Sequence, residues 1–185
     1  MIALVGTLRI RMPVGQGRVT AIGYHSAGPG ALALHPLGTQ ANQGALRRLA
    51  HKLFGTGGGT LRYFAISGGQ GPATGELDVG AAAGTDAYSP VDGTVVGVSP
   101  YVLNGRDYGS RIDIRPDGAP SIVVSLTHLR PDPSLTVGSS LASSTSKVGT
   151  VIDFSGVEDQ ALARYTQDPG NHVAVQVYPA AVTLP

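Results

Sequence analysis

Three side chains in this 185-residue chain are of types that hold divalent metals or move protons: Asp78, His128 and His172. One carboxylate and two imidazoles make a chemically adequate donor set for a zinc-class metal, and an imidazole not bound to metal can assist an attacking water. Each also has an ordinary reading. Asp78 precedes a Gly-rich turn, where Asp commonly accepts backbone hydrogen bonds, and a histidine on an apolar strand is often simply hydrogen-bonded in place. His25, His35 and His51 come earlier, show no ligand spacing among themselves, and read as surface or packing residues. With no Cys, disulfides and thiolate metal sites are excluded.

The elements that must position these residues are mainly β. Strand-like runs fall at Leu61 to Ile66, Asp86 to Val98, Arg111 to Arg115, Ser121 to Leu129, Val148 to Phe154 and His172 to Tyr178. Ile112 and Ile114 alternate with Arg111, Asp113 and Arg115, the period of a strand with one wet face. In the final run the same alternation puts His172, Ala174 and Gln176 on one face and Val173, Val175 and Val177 on the other. Two helices are expected. Leu46, Leu49, Ala50, Leu53 and Phe54 recur at helical spacing over about 40–54, with Gly55 as the stop. Ser155 with Glu158 forms a capping-box pattern opening a short helix over about 156–166, ended by Asp168-Pro169-Gly170.

The length suits one core plus an extension. Residues 1–60 carry short β-prone pieces and the first helix, Gly57-Gly58-Gly59 forms a flexible joint, and residues 61–185 form the β-domain. The 27 Gly and 13 Pro fall between runs rich in Val, Ile and Thr, as turns of a β-protein do. Charged residues make up 14% and the net charge is +1, which leaves no electrostatic footprint for nucleic acid or an anionic membrane. The opening run from Met1 to Met12 lacks a basic start and a small-residue cleavage site, so no signal peptide is read there, and it is too short to span a membrane.

Asp78-Val79-Gly80-Ala81-Ala82-Ala83-Gly84-Thr85, continuing through Ser89-Pro90-Val91-Asp92-Gly93-Thr94-Val95, resembles the opening of the lysostaphin/LytM-type zinc metallopeptidase domain. Further landmarks follow in the family's order: Tyr108-Gly109, Thr127-His128-Leu129, Val137-Gly138, Val148-Gly149-Thr150-Val151, and His172 at the last strand. The resemblance covers about 110 residues. It implies antiparallel sheets of the duplicated hybrid motif folded around a groove, and cleavage of peptidoglycan cross-links or Gly-rich peptides. It also implies zinc held by the His and Asp of H-x-x-x-D and the second His of H-x-H, with two further histidines assisting.

Carried over residue by residue, Asp78 matches the ligand Asp, while Thr74 and Ala174 stand at the two ligand-His positions. His128 and His172 match the assisting histidines, and Gln176 stands where the family usually has Glu. A Thr hydroxyl is a poor neutral donor and an Ala methyl donates nothing, whereas catalytic zinc needs about three protein ligands. The resemblance therefore implies a pseudoenzyme with Asp78 as a remnant ligand and no cofactor at the inherited site. Such a chain is expected to serve as a binding or scaffolding module at the cell envelope, on peptidoglycan or a protein partner. The alternative is an active zinc endopeptidase with a displaced or substituted metal site, for instance Asp78, His128 and His172 closing on one ion. The Ser89 to Val95 hairpin also resembles those of biotinyl and lipoyl carriers, but Lys52 and Lys147 lie at no such hairpin tip.

Overall fold

The computed structural model describes residues 1–42, 61–103, 105–156 and 160–180. The alternating runs form strands: β1 (Ala3–Val5), β2 (Leu8–Ile10), β3 (Ile22–His25), β4 (His35–Pro36), β5 (Thr39–Gln40), β6 (Arg62–Ala65) and β7 (Glu76–Gly80) come first. Then follow β8 (Asp86–Tyr88), β9 (Gly93–Leu103), β10 (Arg106–Pro116), β11 (Ile122–Pro131), β12 (Ser140–Leu141), β13 (Lys147–Val151) and β14 (His172–Pro179).

The principal sheet runs β12-β9-β10-β11-β14-β7-β3-β6-β5, with β13 and β8 branching from β11, and a small sheet joins β2, β1 and β4. Pairing is antiparallel except at β3–β6 and β5–β6, so the architecture is mainly β with antiparallel and mixed sheets. Strand β3, from the part read as an extension, lies between β6 and β7 in this sheet. None of the helices among the described residues is long and apolar enough to cross a membrane.

The two faces of the central strands differ sharply. Opposed residues of an antiparallel ladder share a face, and the register sets Ile22 against Val79, Tyr24 against Leu77, Val79 against Val173, Leu77 against Val175, and Val124 against Val177. These side chains are all buried in one core that also takes Ile2, Ile10 and Leu34. Burying one such aliphatic side chain stabilises by about 1.5–3 kcal/mol, so this face fixes the register. The other face must then carry the intervening residues: Gly23 and His25, Glu76 and Asp78, His172, Ala174 and Gln176, Ser125 and Thr127.

The helix expected over about 40–54 falls largely outside the described residues, although Thr39–Gln40 at its start is a strand. The helix expected over 156–166 is corrected to a five-residue 3-10 segment, Ala161–Tyr165. Ser155 does not open it: both its backbone N–H and its hydroxyl donate to Asp153 Oδ1, at 3.1 and 2.6 Å. That local turn satisfies Ser155 where it stands.

Candidate functional site

Asp78 lies at the centre of the polar face with 2% of its surface exposed. In the ladder its backbone neighbours are Gly23 on β3 and Ala174 on β14. Next to these come His25, which pairs with Glu76, and His172, which pairs with Gly80. The imidazoles of His25 and His172 thus reach Asp78 from two different strands. His25 Nε2 is 3.1 Å from Asp78 Oδ2 and 3.8 Å from Glu76 Oε2, while His172 Nε2 is 3.5 Å from Asp78 Oδ1.

His128 joins the cluster through an irregularity of β11. That strand pairs with β14 up to Thr127 and with β13 from Leu129 onward, and His128 sits at the switch with φ of 63°. A left-handed conformation at a non-glycine residue costs of order 1–3 kcal/mol and needs surrounding structure to hold it. Here Ile152 N–H donates to the His128 carbonyl at 3.1 Å, and the ring packs between Phe154 and Tyr101. His128 Nδ1 lies 3.1 Å from His172 Nε2. The structure thus brings together Asp78, His128 and His172.

Hydrogen bonds set the imidazole tautomers. His172 Nδ1 lies 2.9 Å from the Gly170 carbonyl, and His25 Nδ1 lies 2.9 Å from the Ser26 carbonyl. A carbonyl only accepts, so each Nδ1 carries a proton. Glu76 is oriented by Gln176, whose Nε2 donates to Glu76 Oε2 at 2.6 Å, and the Tyr178 hydroxyl donates in turn to Gln176 Oε1.

Burial and charge then tune the site. Burial alone would lower the His25 pKa, but the hydrogen bond to Asp78 and the charges of Asp78 and Glu76 outweigh it and raise it to about 9. Burial, reinforced by the Asp78 charge, pushes Glu76 up to about 6. Burial works to raise Asp78 as well, yet the His172 charge and the His25 hydrogen bond hold it below the usual carboxylate range. Burial and the neighbouring His172 depress His128 to about 3, so its ring is neutral near pH 7.

Neither ligand-His position offers an imidazole. The Thr74 hydroxyl donates to the Leu34 carbonyl at 2.6 Å, and Ala174 is a buried methyl directly across from Asp78. His25, expected to be a surface or packing residue, lies instead with Glu76 and Asp78 in a group whose potential ligand atoms all lie within 4.8 Å of one another. Its place on the polar face was available from the alternation of Ile22 and Tyr24 with Gly23 and His25; its partner strand was not. The exposed His35 lies on β4, in the separate small sheet.

The 3-10 segment covers part of this face. A Cβ on Gly23 would meet Leu162 Cδ1 at 3.0 Å, and one on Gly80 would meet Leu162 Cδ2 at 2.9 Å. Glycine at both positions lets Leu162 lie directly on the backbones of β3 and β7. Tyr165 stacks on Phe64 with ring centroids 4.3 Å apart. The arrangement can hold a cation or relay a proton, and access is greatest at His25, whose side chain is 25% exposed.

No family model matches the chain, and no curated protein matches it. Among solved structures it is similar to Helicobacter pylori Csd3 in a hexagonal crystal, with a TM-score of 0.46 and 17% identity over 96% of this chain and 32% of that one. It is also similar to pseudoalterin, an M23 metalloprotease from the deep sea, with a TM-score of 0.49 and 14% identity over 95% of this chain and 73% of that one. The chain thus spans about a third of the length of the Csd3 chain.

Proposed function

We propose that this chain is a divergent lysostaphin/LytM-type domain that does not cleave peptides through the family's zinc position and instead binds peptidoglycan peptides or a protein partner at the cell envelope. The observation that carries this reading is the state of the two ligand positions: Thr74 is hydrogen-bonded to Leu34, and Ala174 is buried opposite the remnant ligand Asp78. With one donor of three left, the inherited position lacks the cation that would lower the pKa of a bound water. The ordered motifs from Asp78 to His172 support membership of the fold family, and the meeting of Asp78, His128 and His172 fits the roles the motifs assign them. A binding role rests on fold analogy.

A second reading, an active metallopeptidase with a substituted site, is favoured by one observation: His25 supplies an imidazole beside Asp78 from a strand the family motifs do not include. One experiment separates the two. Purified sacculi and Gly-rich peptides are incubated with the protein, with and without chelator, and both released fragments and co-sedimented protein are measured. Co-sedimentation without release is expected. Chelator-sensitive release that disappears in Asp78→Ala would establish the second reading, and absence of both binding and release would discard the envelope module.

A further inference from the structure

We propose that His25, Glu76 and Asp78 form a binding site for one divalent transition metal of the zinc class, with only Asp78 shared with the inherited ligand set. His25, Glu76 and Asp78 each offer one ligand atom, all within 4.8 Å of one another, and His25 Nε2 lies 3.1 Å from Asp78 Oδ2 and 3.8 Å from Glu76 Oε2. Protein donors that share one such cation, each about 2.0–2.2 Å from it, lie roughly 3–4 Å apart. Mixed imidazole and carboxylate donors suit zinc, and with two carboxylates manganese as well.

The hydrogen bonds around the cluster ask for a cation. With His25 Nδ1–H committed to the Ser26 carbonyl, Nε2 is the ring atom turned toward both carboxylates: without a metal it carries a second proton to face them, and a bound cation would take that proton's place. On the far side of Asp78, His172 Nδ1–H is committed to the Gly170 carbonyl and Nε2 to His128 Nδ1 at 3.1 Å, which leaves the buried Asp78 Oδ1, 3.5 Å from Nε2, without a hydrogen-bond partner among the described residues. A buried carboxylate oxygen left unpartnered is costly and rarely retained without a role. A histidine whose other ring nitrogen donates to a carbonyl, beside a carboxylate itself held by an amide, is the usual outer support of a metal site. Here the Ser26 carbonyl and the Gln176 amide fill those places.

This site goes beyond the envelope-binding reading and does not depend on it. The test uses the full chain stripped with chelator and titrated with zinc chloride, and in parallel with manganese chloride, by calorimetry and thermal melting. One zinc per chain and a rise in melting temperature are expected. His25→Gln, Asp78→Asn and Glu76→Gln should each weaken binding at least about tenfold, while His35→Ala leaves it unchanged. Absence of saturable binding in the wild type, or unaltered affinity in His25→Gln, would overturn the site. Should the variants fold poorly, X-ray absorption of the cobalt-loaded wild type decides: one imidazole with carboxylate oxygens is expected, and two or more imidazoles would overturn the assignment. Sacculus binding by the same stripped protein is scored separately, so the two readings fail independently.

Discussion

Asp78 receives imidazoles from two directions, and the proton on His25 is what reconciles its carboxylate with a buried position when no metal is bound. The His25 pKa is raised from 6.5 to about 9, so the charged ring contributes stability fully below about pH 6.5, and that contribution is lost as pH rises through 9. Other shifted groups of the cluster act elsewhere: Glu76 titrates near 6, Asp78 is held below the carboxylate range, and depressed His128 matters only below about pH 6.5. The chelated protein should therefore lose melting temperature steadily between pH 6.5 and 9.5, and His25→Gln should flatten that slope. An unchanged slope in the variant would show that His25 is not the titrating group. Much of this cluster was legible in the sequence, because Asp78, His128 and His172 each stand in an ordered motif. His25 was not, since a lone histidine acquires meaning only from the strand beside it.

Among the elements, the 3-10 segment Ala161–Tyr165 has the largest effect on access. It crosses the polar face because Gly23 and Gly80 leave room for Leu162, and Asn171 closes the loop behind it by accepting from the Phe154 N–H at 2.9 Å. Leu162 is completely buried. Leu162→Ala should lower stability by about 2–5 kcal/mol in denaturant melts, the usual cost of such a truncation, and should speed hydrogen exchange in β3 and β7. Normal stability in that variant would mean that the segment does not rest on the sheet. The sequence placed a helical segment correctly within 156–166 and misjudged its kind. The capping pattern assigned Ser155 to a helix start, but Asp153 lies two residues away and captures it, and five residues are too few to repay the nucleation of an α-helix.

Across the whole molecule, period-two alternation made the later strands legible because one face of each is buried, and a slip of one residue would turn Leu77, Val175 and Leu126 to the polar side. Strand order was beyond the sequence: a run of alternating residues fixes its faces but not its neighbour, so β3 gave no sign that it pairs with β7. The consequence for residues 1–42 is large. Ile2, Ile10, Val14, Ile22, Tyr24 and Leu34 are buried in the same core as Leu77 and Val175, and the Tyr24 hydroxyl donates to the Ile2 carbonyl at 3.0 Å. β7 takes β3 on one side and β14 on the other, so removing the first 60 residues would bare the β7 edge and open the apolar face beneath it. An unpaired central strand over exposed apolar surface is a template for aggregation. A fragment spanning 61–185 is therefore expected to be insoluble or to lack a cooperative thermal transition, and to regain both when residues 1–60 are supplied as a separate chain. The measurement is calorimetry and light scattering of the full chain, the fragment and the reassembled pair. A fragment that melts cooperatively as a monomer would show that the β-domain stands alone and that β3 is an accessory strand.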